Sequence, residues 1–344
     1  MTGPAPRAFG TRPRRRLALW LSGTLLALVV AALLSIAVGA NPLDPRLLLD
    51  TLSGGGTDES RFVVQDQRLP RTLVGLAVGV GLGGAGALIQ AVTRNPLADP
   101  GILGVNAGAS AAVAAAVVFA GVTSISGYVW FAYGGALVLT VVVFALGAGG
   151  RGRSDPITLT LAGLAVGAVL SGLTTGLTLT HPDAFERLLG WSAGSLLGRS
   201  TDVLLPVLPL LALGALLALV VSPALNAVAL GDETARAQGV SLLRTRLLAV
   251  LAITLLAGTA TALAGPISFV GLMIPHVVRW STGPDHRWIV AGSMLAAPVL
   301  VLLSDVVGRV SVLPAEMPVG IVTAFVGAPV LIVLVRRRRR VTGL

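Results

Sequence analysis

The 344-residue chain is 54% hydrophobic and 12% charged, with a mean hydropathy of +0.88 and a formal net charge of +10. It contains no cysteine, and all 25 basic residues are arginine. Those absences exclude disulfides, thiol nucleophiles, Cys-ligated metal or iron–sulfur centres, a P-loop lysine and Schiff-base chemistry.

Soluble domains carry about 25% charged residues, whereas apolar runs of about twenty residues recur here from end to end. The composition therefore predicts an all-α, polytopic membrane protein. Its arginines cluster beside those runs, as orientation signals do, so the positive charge does not point to nucleic acid.

Residues 1–16 form a basic tail with Arg7, Arg12, Arg14, Arg15 and Arg16, followed by a first span over 17–40. That run is about twice as long as a signal-peptide core, which favours an uncleaved span with its N-terminus in the cytoplasm. Residues 41–67 carry five acids and two arginines and read as an external segment. A second span, 70–92, starts beside Arg68 and Arg71; Gly75, Gly79 and Gly83 recur every fourth residue on one face, so another backbone can approach closely. Its polar exceptions are Gln90, within the helix, and Arg94, just beyond it.

Asn95 and Pro96 open a tight connection in which Asp99 precedes Pro100, an N-cap pattern for a third span over 101–121. A fourth span is predicted at 126–149, with Arg151 and Arg153 behind it, and a fifth at 156–180. The segment 181–200 is too short and polar to cross and reads as an interfacial helix anchored by Trp191.

A sixth span follows at 202–222, then a polar cytoplasmic segment, 223–246, holding GDETARAQGV. Gly231, Asp232, Glu233, Ala235, Arg236 and Gly239 there suit either a short surface helix that receives a partner or an ordinary solvated loop. Spans at 247–265, 267–282, 288–310 and 317–335 complete a set of about ten, and a basic tail, 336–344, ends the chain. Residues 17–335 thus form one transmembrane domain. With both termini in the cytoplasm, 18 of the 25 arginines lie on that side.

All fifteen acids fall in loops or near span ends, leaving no mid-membrane proton relay of the kind a self-driven transporter uses. Neither a nucleophile–base pair nor a metal cluster supports an intramembrane enzyme. Arg68, Arg71 and Arg309 lie on the outer side, against the orientation rule. Either they dock an acidic protein surface, or they snorkel to phosphates or pair internally, Arg309 with Asp305 one turn away. Gly271, Pro275 and His276 lie in the short eighth span, which reads as a kinked structural helix or a gate; His276 reads as a packed histidine ahead of a metal ligand.

Two long strings resemble a known family. One is RLPR, the glycine-rich helix, Gln90 and RNPLADPGILGVNAGA, which includes Gly104; the other is GPISFVGLMIPHVVR, followed by Asp285, His286, Arg287, Asp305, Arg309, Glu316 and Pro318, with GDETARAQGV between them. Together they resemble the FecCD-type permease subunits of bacterial ATP-binding-cassette importers for iron–siderophore complexes, haem and vitamin B12, the BtuC-like group. The likeness spans residues 60–335.

The resemblance implies a type II ABC importer permease fold of ten helices in the bacterial cell membrane, pairing with a second permease subunit. Two cytoplasmic ATPase subunits would hold the ATP and Mg, with no cofactor on this chain, and an extracytoplasmic binding protein would deliver the cargo. Arg68, Arg71 and Arg309 match the docking positions, so charge reversal at all three is expected to abolish docking without unfolding the chain. Gly231 to Gly239 matches the ATPase-coupling segment. Gly75, Gly79, Gly83, Gln90, Asn95, Pro96, Gly104, Gly271, Pro275 and His276 match packing or pathway positions. A ferric siderophore is the leading cargo, with vitamin B12 and haem as alternatives and an ion-coupled transporter as the rival class.

Overall fold

Two glycine- and alanine-rich helices sit at the centre, because small side chains let neighbouring backbones close in on every side. The computed structural model describes residues 14–147 and 156–339, so Arg151, Arg153, most of the N-terminal tail and the last residues of the C-terminal tail lie outside it. In chain order the principal helices are α1 (Arg14–Ala37), α2 (Pro45–Leu52), α3 (Leu69–Thr93), α4 (Val105–Ala120), α5 (Ile125–Gly147), α6 (Pro156–Thr180), α7 (Pro182–Ser192), α8 (Leu208–Ala229), α9 (Asp232–Ala237), α10 (Leu242–Ala264), α11 (Val270–Thr282), α12 (His286–Ser311) and α13 (Val319–Arg339). The described residues contain no strand.

Among the described residues, seven helical segments are long and apolar enough to cross a membrane; α4 and residues Val319–Val333 of α13 are apolar but shorter, and α11 has only 13 residues. The crossing windows of α3 and α10 are each 83% buried, against 6% for α1 and 11% for α6. The core is therefore α3 and α10, with α12 packed along α3 and α8 along α10.

The glycine face of α3 meets α12. A Cβ at Gly79 would collide with the backbone of Pro298, and one at Gly83 with the Ser293 carbonyl; at Gly75 it would stand 2.7 Å from Leu302 Cδ2. Gly86 abuts the Gly271 carbonyl of α11 in the same manner. Lipid tails are as apolar as leucine, so close van der Waals packing has to hold such helices together.

Four local features depart from the sequence reading. The 41–67 segment is partly helical: α2 is capped by Asp44, whose side chain accepts from Arg46 N at 2.7 Å, and Thr57 caps Asp58–Arg61. A π-helical stretch, Phe62–Arg68, then runs into α3, giving one continuous 36-residue helix from Asp58 to Thr93. The third span begins at Val105, because Pro100–Leu103 forms a 3-10 turn and Gly104 takes a left-handed φ of 78°.

The sixth span runs through Pro223 to Ala229, seven residues beyond its expected end. Proline interrupts one backbone hydrogen bond without ending a membrane helix whose neighbours cover the gap. Trp191 is not an interfacial anchor: it is 4% exposed and joins the core, because Ser195 N donates to Ala264 O at 2.7 Å and Gly320 N to Gly194 O at 2.9 Å, pulling the end of α7 inward. Phe185 and Leu189 form the outer face of α7 instead.

Candidate functional site

Charged side chains gather at the two ends of α3. At its N-terminal end Arg71 reaches across to α12. Its Nε donates to both Asp305 oxygens at 3.0 and 3.2 Å, its Nη2 to Asp305 Oδ1 at 2.7 Å, and its Nη1 to Glu316 Oε2 at 2.6 Å. Arg309, one turn beyond Asp305, donates its Nε to Asp305 Oδ2 at 2.9 Å. Its Nη1 reaches Ser35 O at 2.6 Å and Val38 O at 3.0 Å.

Arg68 Nη1 donates to Ile36 O at 2.9 Å and Ala37 O at 2.7 Å, and its Nη2 to Asn41 O. The last carbonyls of α1, which have no intrahelical partner, are thus taken by two guanidinium groups. Only arginine offers enough fixed donors for this, and a cation at a helix C-terminus also meets the negative end of the dipole.

The three outer arginines are therefore brought together but buried: Arg68 is 5% exposed, Arg71 8% and Arg309 1%, while Asp305 is 1% exposed. The internal Asp305–Arg309 pair weighed from the sequence is present, as part of a larger network. The expectation that charge reversal at all three would leave the fold intact is corrected by this geometry, since three new carboxylates would crowd Asp305, Glu316 and the carbonyls of α1. The arginines nonetheless line a recess of about 310 Å³ together with Asp66, Glu316 and Arg199.

Arg199 is a residue the sequence reading passed over. It was one of seven arginines on the outer side, and that placement alone was the available signal.

The other end of α3 carries a looser cluster. Arg94 leaves the helix in a left-handed conformation, φ 49°, and pairs with Asp232 of α9. Arg246 of α10 also reaches Asp232, its Nη2 donating to Oδ2 at 2.9 Å and Oδ1 at 3.1 Å. Partial burial works to raise the Asp232 carboxyl, but Arg246 and Arg94 outweigh it and hold it below the usual carboxylate range.

Glycines with positive φ bound α9, Gly231 at 112° and Gly239 at 78°, and Ala235 is fully buried against Val228 and Leu242. Asp232 and Glu233 occupy the first turn of α9 and Arg236 the last, as the helix dipole favours. Glu233 and Arg236 point outward.

Between the ends, Gln90 Nε2 donates to Leu272 O at 3.1 Å, and His276 Nε2 donates to Pro96 O at 2.7 Å. Asn95 Oδ1 accepts from Leu97 N at 3.0 Å, closing the tight turn that presents Pro96. These contacts clamp α11, with Pro275 buried inside it, against the end of α3. Gly75, Gly79, Gly83, Gly271, Gln90 and His276 are thus placed by packing, while Gly104 reaches a groove.

That groove, about 900 Å³, runs between α4 and α6. Its wall carries Ser110, Ser171, Thr174, Thr175 and Thr178. Thr174 and Thr175 donate to carbonyls four residues back at 2.8 and 2.9 Å, which leaves hydroxyl oxygens facing the groove without committed donors. Among the described residues no group of three or more His, Asp or Glu side chains could hold a metal ion.

The FecCD transport family model matches residues 25–337. The chain is similar to the ferric enterobactin transport system permease protein FepD of Escherichia coli, at 49% identity over 94% of this chain and 96% of that protein. It is also similar to the hemin transport system permease protein HmuU of Yersinia pestis, at 35% identity over 93% of this chain and 96% of HmuU.

Among solved structures, an inward-facing metal-chelate type ABC transporter superimposes with a TM-score of 0.82 at 29% identity, covering 93% of this chain and 99% of the other. Together with its helical, multi-pass architecture, these matches establish that the chain belongs to the FecCD transport family.

Proposed function

We propose that this chain is the permease subunit of a bacterial ABC importer and forms the pathway for a metal chelate, with a ferric siderophore as the leading cargo. The observation that carries the reading is the hydroxyl-walled groove along α6, a span only 11% buried. The threonine hydroxyls bond back to their own helix, but a wall of five Ser and Thr side chains on so exposed a span is unlike a lipid-facing surface, so a second permease subunit and the water between the two would cover it. A polar chelate then slides past hydroxyls and small residues that offer it no strong contact.

In this reading α4, α11 and α13 join the seven longer segments as crossings, and both termini lie in the cytoplasm. The Gly231–Gly239 segment, with α9 at its centre, receives the stroke of two ATPase subunits that hold the ATP and Mg. The Arg68–Arg71–Arg309 face receives an extracytoplasmic binding protein. The siderophore assignment draws on the ferric enterobactin permease at 49% identity, and the haem alternative on the hemin permease at 35%.

The test is uptake of radiolabelled ferric catecholate, ferric hydroxamate, haem and cobalamin in a strain deleted for this gene and complemented with it. Loss and restoration of ferric siderophore uptake is the expected result; restoration of haem or cobalamin uptake alone would reassign the cargo. Purified alone in liposomes, the chain should accumulate nothing against a gradient, and active accumulation there would sink the importer reading.

A further inference from the structure

Resting on that reading, we propose that Arg199 is a further anion-receiving residue of the outer face and takes an aspartate or glutamate side chain of the extracytoplasmic binding protein. Arg199 is 6% exposed, and its Nε has no hydrogen-bond partner. No ion pair is formed by it among the described residues. An unpaired buried guanidinium is costly, and proteins that keep one usually supply its counter-charge from elsewhere. Burial lowers its pKa to about 10, so at neutral pH it remains a full cation.

Among the buried arginines of this face, the others already hold partners within the chain. Arg199 lines both the 310 Å³ recess and an adjoining one of about 300 Å³, and Arg71 and Glu316 line both with it. Glu316 is taken by Arg71 at 2.6 Å, and Asp305 is shared between Arg71 and Arg309. Arg68 spends its donors on the carbonyls of α1 and Asn41. Asp66 is exposed at the rim.

With Arg187, which lines the smaller recess but is exposed, five cations stand against three acids, and Arg199 is the buried one whose Nε has no partner among the described residues. A single carboxylate neutralises it. A whole drug-sized ligand needs about 300–1,000 Å³ for itself, so a recess at the bottom of that range suits one inserted side chain better than a chelate.

The experiment uses the full chain with its ATPase subunits in lipid nanodiscs and its cognate extracytoplasmic binding protein. Arg199→Gln should weaken binding by about tenfold and flatten the dependence of affinity on salt, as loss of one charge-assisted contact does. Arg199→Lys should retain most of the affinity.

The chain has no lysine, so Arg199→Lys also supplies its sole side-chain amine. A zero-length carbodiimide should then join that amine to a carboxylate of the binding protein, which mass spectrometry would locate. This second readout holds even if Arg199→Gln fails to fold.

Unchanged affinity in a folded Arg199→Gln, or a cross-link only to Glu316 or Asp66 of the chain itself, overturns the assignment. Failure of the wild-type complex to bind the protein at all would instead overturn the importer reading on which it rests.

Discussion

The two ends of α3 hold similar residues in opposite settings. At one end Arg71, Arg309 and Asp305 are almost wholly buried, and each arginine makes several bonds. At the other, a buried Arg246, 9% exposed, and Arg94, 37% exposed, meet around the Asp232 carboxylate, whose side chain is 32% exposed. A buried network permits one arrangement, because any member removed leaves a naked charge in a dry place. A half-wet bridge can open and re-form at little cost, since water replaces what it loses. The first end is built to stay fixed, and the second joins the short helix that, under the proposed function, an ATPase stroke would move.

The sharpest way to break this contrast is Asp305→Asn. It removes the shared acid from between Arg71 and Arg309, and the expected loss is about 3–5 kcal/mol. Thermal unfolding of the detergent-solubilised chain would measure it. A midpoint within a degree of wild type would show that the outer network stabilises nothing and would erase the difference between the ends.

A smaller loss is expected midway along α3 from Gly83→Leu, because the new side chain meets the Ser293 carbonyl and Ala297 of α12. Overpacking of this kind costs about 1–3 kcal/mol. Gly231→Ala at the half-exposed end meets open space but must hold a φ of 112°, so it tests backbone strain in place of packing. If the two variants lose the same stability, the rigid-core account of α3 is wrong.

Much of this architecture was legible in the sequence because membrane spans announce themselves by apolar length, and close-packed ones by glycine spacing. The Gly75–Gly79–Gly83 face and the Pro156–Thr180 helix follow from such local signals, whereas Gly231–Gly239 reads equally as a short helix or a solvated loop, and only the structure shows α9. What was hidden depends on neighbours. Phe62–Arg68 carries no apolar periodicity, and its π-helical form is set by continuity with α3. Pro223 looks like a helix end, yet packing carries the helix past it.

The outer arginines show the same limit more plainly. Their sequence position marked them as unusual, but whether a guanidinium is spent on α1 carbonyls or left over, as Arg199 is, depends on contacts between segments 31 to 274 residues apart. Arg71 and Asp305 are separated by 234 positions and read as unrelated until the helices are packed.

The smallest expected effect is also the most selective, and it lies at Asp232. Its folded pKa is depressed below the unfolded carboxylate value of about 3.9. The stabilisation it contributes is therefore complete above that value and is lost as pH falls through the folded pKa. Between about pH 5 and 8 the attachment of α9 should not change with pH. Salt should act there instead, because about 1 M salt shortens the Debye length to about 3 Å and weakens exposed pairs.

The absence of cysteine makes α9 addressable by a single spin label at Gln238→Cys, an exposed position just after the helix. Label mobility should rise with salt at pH 7 and stay flat with pH. Asp232→Asn should raise it at low salt and remove the salt response, while costing less than about 1 kcal/mol of stability. Under the proposed function, a transporter assembled from the same variant and its ATPase subunits should hydrolyse ATP with reduced uptake, because a loosened α9 would pass on less of the stroke. Salt-independent mobility in the wild type would mean that the inner bridge is as fixed as the outer network, and the asymmetry along α3 would have to be sought elsewhere.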